Sequence, residues 1–215
     1  MPRKNVIDFH GRPMIGYTIE AARESGCFDR VVVSTEDPEI AEIASSFGAE
    51  IDHRSPKLAT DQAKVIDICL EFLRREANEG RRWTVMACLY ATAPMRSSYD
   101  IRATVDLLKP GRCDFAMAVT DYALAPHQAL KREADNVLVP MWPDLIEKRA
   151  SELPPLVVDN GSTYAVTVEA FERLKTFYGP NLRGHEMPRD RSIDIDTRED
   201  YKFALWLAGR SGGLP

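Results

Sequence analysis

An α/β fold around a mostly parallel sheet is predicted by three features of the sequence: short β-branched or apolar runs, amphipathic stretches of helical period, and the regular alternation of the two. Residues 13–26, PMIGYTIEAARESG, carry Ile15, Ile19 and Ala22 at helical spacing, with Pro13 suited to a first turn and Gly26 to an end. Val31, Val32 and Val33 form a continuous run of the kind that suits a strand covered on both faces. Asp37-Pro38 reads as an N-cap and first helical residue; Ile40, Ile43, Ala44 and Phe47 follow on one face, and Gly48 closes the helix.

The alternation continues with a helix over 62–78, where Val65, Ile66, Cys69, Leu70 and Leu73 share a face. A buried strand over 83–90, a helix over 100–108 and a strand over 114–120 follow. Between 121 and 158 the rhythm breaks. ALKREADNVLVPMW predicts two short β runs about an Ala-Asp-Asn turn, and prolines at 126, 140, 143, 154 and 155 exclude long helices nearby. This hairpin-bearing excursion suits a dimer contact or a lid. After it, STYAVTV predicts a strand, VEAFERLK a short helix, RSIDID a strand and REDYKFALWLAG a final helix. One domain over 1–215 is expected, with 121–158 as its excursion.

Composition narrows the classes. A net charge of −5, from 28 basic and 33 acidic residues with no Lys/Arg-dense run, argues against a nucleic-acid or anionic-membrane surface. Cys27, Cys69, Cys88 and Cys113 form no CxxC pair, so zinc and disulfide frameworks are disfavoured and buried, reduced thiols are expected. No apolar run approaches the roughly 18 residues of a membrane span, and MPRKNVIDFHGRP lacks the apolar core of a signal peptide. A cytoplasmic protein is expected.

The chemistry concentrates in SIDIDT, residues 192–197. On a strand, Asp194 and Asp196 face one way, roughly 7 Å apart, while Ile193 and Ile195 enter the core. Two such carboxylates can hold one hard cation such as Mg²⁺, with phosphate oxygens completing its shell. The alternative is that Asp196 or Thr197 caps the final helix and Asp194 is merely solvated. Lys4, with Arg3 in PRKN, can meet a phosphate or simply be solvated. Arg54, in HRSPKLATDQAKV, can fork onto a phosphate or a base edge or be an ordinary surface arginine. Tyr90 and Thr92, in YATAP, bring hydroxyls to the sheet's carboxyl edge or merely end a strand. His127 reads as a hydrogen-bonding structural residue, and no general base is evident.

Taken together, these segments resemble the acylneuraminate cytidylyltransferase family. The stretches that carry the resemblance run in family order: PRKN, GRPMIGYTIEAARESGCFDRVVVSTEDPEIAE, FGAE, R-x-x-x-LATD, CLYATAP with Arg96, DNGSTY and SIDIDT. The resemblance implies a Rossmann-like, glycosyltransferase-A-like nucleotidyltransferase fold with a dimerisation excursion. It further implies CTP and a nine-carbon 2-keto sugar acid as substrates, Mg²⁺ as cofactor and a homodimer. Carried over by position, Asp194 and Asp196 match metal-binding carboxylates, Lys4 and Asn5 a nucleotide-contacting pair, Arg54 an arginine near the cytosine, and Tyr164 a sugar-contacting tyrosine. Lys131 and Arg149 align with basic residues that relatives extend into the partner's site.

The sequence departs from the family pattern twice. CLYATAPMR stands where sialic acid enzymes read LLQPTSPLR, so Tyr90 replaces a sugar-contacting glutamine; YATAP with PHQAL looks closer to the pseudaminic acid branch, legionaminic acid being next. Relatives also carry a strand and phosphate loop ahead of PRKN, and this sequence starts inside that motif. The expectation is that the natural protein begins further upstream, and that the 215-residue chain is a weak catalyst or inactive. The rival expectation is a non-catalytic nucleotide or sugar-acid binding module. An enzyme acting on an eight-carbon acid belongs to the same reaction class.

Overall fold

The computed structural model describes residues 1, 3–60 and 62–210; Pro2 of PRKN and Asp61 of LATD lie outside them. A short turn at Lys4–Val6 leads into a small hairpin, β1 (Asp8–Phe9) and β2 (Arg12–Pro13). His10 and Gly11, both at positive φ, supply its reversal. Helix α1 (Met14–Ser25) follows and ends at Gly26 in the left-handed conformation. Strand β3 (Val32–Thr35), helix α2 (Pro38–Ser46) and strand β4 (Glu50–His53) form one parallel β-α-β unit. Asp37 caps α2 as its position predicts, accepting from the Glu39 and Ile40 amides.

Helix α3 (Val65–Asn78) precedes β5 (Val85–Leu89), and α4 (Ser98–Val105) precedes β6 (Phe115–Asp121). The excursion carries the hairpin β7 (Leu130–Arg132) and β8 (Leu138–Pro140). The chain then forms β9 (Val157–Thr167), α5 (Val168–Leu174), β10 (Arg183–Glu186) and α6 (Arg198–Arg210). No helix among the described residues is long and apolar enough to cross a membrane.

Three expectations are corrected. The main sheet is mixed, ordered β10-β6-β9-β5, because β9 runs antiparallel to both β5 and β6. The excursion returns beside its own departure point, with Asp121 opposite Val157, so β6 and β9 are the legs of one long antiparallel connection. The β3/β4 pair is a separate sheet, so among the described residues β3 and β5 each have a strand partner on one side only. RSIDID is not a strand: 192–196 run as an irregular segment, tied by the Ser192 amide to the Arg189 carbonyl at 3.1 Å and by the Ile195 amide to the Thr92 carbonyl at 2.9 Å. The strand in this region is β10, whose sequence RGHE has little β propensity and is held by its parallel register on β6.

The core explains the placement of the acidic segment. Ile195 is fully buried among Phe9, Met14, Tyr17, Met95, Ala204 and Ala208, with Ile193 packed at the edge of the same cluster. Burying one such side chain contributes about 1.5–3 kcal/mol, enough to anchor a segment that lacks a ladder. A second cluster packs Ala21 and Ala22 of α1 and Ile101 of α4 against Leu89 of β5 and Val31, just ahead of β3.

Candidate active site

The site lies where the turn after β5, the SIDIDT segment, the Lys4–Val6 turn and a distortion in β9 converge. That distortion is large: Met117 and Val119, two residues apart on β6, face Tyr164 and Asp159 on β9. Four residues, Asn160 to Thr163, thus stand opposite Ala118 alone, and Asn160, Ser162 and Thr163 are buried. Gly161 sits there at φ +69°, and the Asp159 carboxylate accepts its amide at 2.9 Å. Asn160 links the bulge to Ser192 at 3.1 Å, at the head of the acidic segment. Arg96, only 1% exposed, clamps the other side: its Nη1 donates to the Ser162 carbonyl at 2.6 Å and to the Tyr90 carbonyl at 3.3 Å, and Nη2 to Thr18 at 2.8 Å. Burial lowers the guanidinium pKa to about 10, so it stays charged at neutral pH.

Asp194 is half-buried, and its Oδ1 is buried without a hydrogen-bond partner in the protein. Burial raises its pKa; the Thr92 hydroxyl and Lys4 act in the opposite sense, and the charge of Asp196 adds to the rise. Asp196 is exposed and paired with Lys4 Nζ at 2.5 Å. Helix α6 is capped by Thr197, whose hydroxyl receives the Asp200 amide at 3.2 Å while its own amide donates to Asp200 Oδ2 at 2.8 Å. Capping therefore consumes neither aspartate side chain. An orphaned carboxylate oxygen beside a second carboxylate, with a lysine already neutralising the pair, is a donor set that suits a hard divalent cation. No group of three or more His, Cys, Asp or Glu among the described residues could hold a metal ion by itself.

The remaining candidates divide. Thr92 is buried at the acidic segment, and Tyr90, half-buried, packs its ring 5.5 Å from Tyr164. Burial and the neighbouring Cys88, Cys69, Asp159 and Asp194 push Tyr90 up to about 12. Tyr164 is 7% exposed and donates to Asp159 Oδ2 at 2.7 Å. Asn5 shares the short turn with Lys4. Arg54 is held apart from the aspartates, at the end of β4, donating to the Ser34 carbonyl at 2.5 Å and pairing with Glu36 at 3.6 Å. It lines a cavity of about 50 Å³ with Ser34, Asp52 and Arg75, and its Nε has no partner.

Lys131, on β7, pairs with Glu133 at 3.1 Å, and the Arg149 amide donates to Glu152 at 2.9 Å. Neither has a hydrogen bond or ion pair to the aspartates or Tyr164 within the chain among the described residues. His127, expected to hydrogen-bond, is buried against Trp142 with Nε2 unpartnered. Asp159 and Gly161 lay inside DNGSTY without being singled out; the Asn-Gly pair is a turn signal, but nothing local shows that its turn abuts Asp194. A Cβ on Gly161 would lie 2.7 Å from Asp194 Oδ2. Gly161→Ala is therefore expected to lose most activity by displacing that carboxylate, at a backbone cost of about 1–2 kcal/mol; turnover and thermal midpoint together check this.

A family model described as cytidylyltransferase matches residues 1–175. The chain belongs to the cytidylyltransferase family. The matched span ends before SIDIDT, so the paired aspartates lie beyond it. The pseudaminic acid cytidylyltransferase of Campylobacter jejuni subsp. jejuni serotype O:2 is 31% identical over 211 residues, 96% of this chain and 90% of that protein. The CMP-N,N'-diacetyllegionaminic acid synthase of Legionella pneumophila subsp. pneumophila is 31% identical over 206 residues, 94% of this chain and 87% of that protein. Among solved structures, a CMP:2-keto-3-deoxy-manno-octonic acid synthetase complexed with CTP superposes with a TM-score of 0.70 at 18% identity, over 98% of this chain and 93% of that one. That likeness establishes the cytidylyltransferase fold in the mixed-sheet form described above.

Proposed function

We propose that this cytidylyltransferase joins CMP from CTP to a nine-carbon 2-keto sugar acid of the pseudaminic acid type, releasing pyrophosphate. The observation that carries the reading is the unpartnered Asp194 oxygen beside Asp196, at the carboxyl edge of the sheet. In the reaction, the sugar's anomeric hydroxyl oxygen bonds to the α-phosphorus of CTP, the bond from that phosphorus to the bridging oxygen breaks, and the hydroxyl proton leaves to solvent. Asp194 and Asp196 would hold Mg²⁺, which when bound neutralises triphosphate charge and acts as a Lewis acid. Lys4, paired with Asp196, would turn toward a phosphate, and Asn5 beside it would contact the nucleotide. Arg54 faces the base from the β3/β4 side. Tyr90, Thr92 and Tyr164 form the sugar wall.

The exposed apolar side chains of the excursion, Leu130, Val137, Leu138, Val139, Met141 and Trp142, make it the contact of a homodimer in this reading. Lys131 and Arg149 then reach the partner's site. Consumption of CTP places the protein in the cytoplasm. The test is pyrophosphate release from CTP with Mg²⁺ and pseudaminic, legionaminic and sialic acids in turn, with sedimentation of the same sample. Turnover is expected to be fastest with pseudaminic acid, on a dimer. Absence of turnover with all three acids, both in this chain and in one lengthened at its N-terminus, would overturn the reading.

A further inference from the structure

The bulge of β9 places Asp159 between two phenols and the turn that supports the metal carboxylate. Tyr164 donates to Asp159 Oδ2 at 2.7 Å, and Tyr178, from the loop after α5, donates to the same oxygen. The other oxygen accepts the Gly161 amide at 2.9 Å. Gly161 in turn lies against the Asp194 carboxylate, close enough that a Cβ there would meet it at 2.7 Å. One carboxylate thus ties the tyrosines to the floor of the candidate metal site.

A phenol has a single proton to give. Once that proton is committed to Asp159, the oxygen of Tyr164 or Tyr178 presents only lone pairs. An ionised carboxylate receiving two O–H donors and one N–H donor has no reason to release them, because charge-assisted hydrogen bonds are about twice as strong as neutral ones. The phenol pKa values agree: the bond to Asp159, with burial, pushes Tyr178 up to about 12, and burial with the same bond raises Tyr164. Phe177 and Tyr90 pack against Tyr164 in tilted ring contacts, with centroids 5.1 and 5.5 Å away, and hold it in place.

Building on the reading under Proposed function, we propose that Asp159 is a positioning residue that makes the Tyr164 and Tyr178 edge of the site accept hydrogen bonds only, so that the sugar acid must present a donor there, a hydroxyl or the N–H of an acylated amine. A group with acceptors alone meets the lone pairs of Tyr164 and Tyr178 and is rejected. The ring contacts fix where Tyr164 sits; Asp159 fixes which way both phenol protons point.

Asp159→Asn tests this at constant size. The amide keeps an oxygen for the Gly161 N–H and turns N–H groups toward the phenol oxygens, freeing the phenol protons to point outward. With CTP saturating, kcat/KM is measured for pseudaminic acid and for an analogue whose amide N–H is replaced by an ester oxygen. Wild type is expected to prefer the amide by about 10- to 100-fold, the effect of one hydrogen bond lost at a desolvated site. Asp159→Asn should shrink that preference below about threefold while changing the KM for CTP less than about twofold. Ring-carbon NMR of ¹³C-labelled tyrosine, assigned with Tyr178→Phe, should show the Tyr164 and Tyr178 signals displaced in Asp159→Asn at neutral pH. Unmoved tyrosine signals, or an undiminished preference in the variant, would overturn the proposal. If neither wild type nor the chain lengthened at its N-terminus turns over a sugar acid, the cytidylyl-transfer reading falls and the selectivity with it, even where displaced signals show that Asp159 holds both phenols.

Discussion

Asp194→Asn is expected to lower pyrophosphate release from CTP by about 10³-fold while leaving the protein folded, the size of effect that removal of a ligand to a charge-neutralising cation produces. The stability side of the prediction has a definite sign. The folded-state pKa of Asp194 is raised, first by burial and further by the charge of Asp196. Its ionised form is therefore disfavoured in the folded chain, and that cost is present at pH values above the folded pKa and relieved as pH falls through it. Asparagine carries no charge, so the thermal midpoint at neutral pH should be equal to or above that of wild type. Loss of activity with retained or higher stability marks a side chain kept for function. Turnover and thermal melts of the same preparation test both halves; near-normal turnover would remove Asp194 from the metal site.

Asp100→Ala acts in the opposite direction. Asp100 begins α4 with a capping box to Ser97, is fully buried, and also receives Arg191 and His185, the latter at 3.1 Å. It thereby fastens the segment just ahead of SIDIDT to the first turn of α4. Removing it takes the carboxylate from the part-exposed Arg191 and undoes the capping box, which together cost about 2–4 kcal/mol and about 10 °C in midpoint for a chain of this size. Burial alone would raise the Asp100 pKa, but Arg191, Ser97 and His185 outweigh it and hold the carboxyl at about 2. A depressed carboxyl pKa contributes stability that is complete above the unfolded value near 3.8 and lost as pH falls through about 2. Wild type should lose midpoint steeply between those values, and Asp100→Ala should show a shallower slope. Melts from pH 7 to 2 measure this; parallel curves would show that Asp100 carries no such linkage.

Much of the local structure was legible because it is written in periodicity and end signals. The helical stripe of Ile40, Ile43 and Phe47 and the Asp37-Pro38 cap needed no distant residue to specify them, and the observed helix spans Pro38–Ser46. The acidic pair could be picked out in SIDIDT because carboxylates between isoleucines contrast with their neighbours. The strand assigned to that segment failed for a different reason. Alternation of apolar and polar residues states which side faces the core, and Ile195 does face it, but a strand also needs a neighbour to pair with, and among the described residues the segment's one backbone bond to another element's loop is from Ile195 to Thr92. The reverse holds for β10, where register on β6 makes a strand of RGHE.

Chemical identity was therefore settled one residue at a time: a chain of alternating helices and strands, a carboxylate pair, small polar groups after β5, and an excursion too rich in proline to be helical. The direction of β9, its bulge, the pairing of Lys4 with Asp196, and the hold of Asp159 on two tyrosines were decided by the tertiary structure alone. The pairing of β9 with β5 and β6 and the Lys4–Asp196 contact depend on partners far away along the chain, 192 residues in the latter; Asp159 and its tyrosines are only 5 and 19 residues apart, but the bulge and the loop after α5 must both form before they meet. Local propensity has no term for a contact that exists only after the chain has closed on itself.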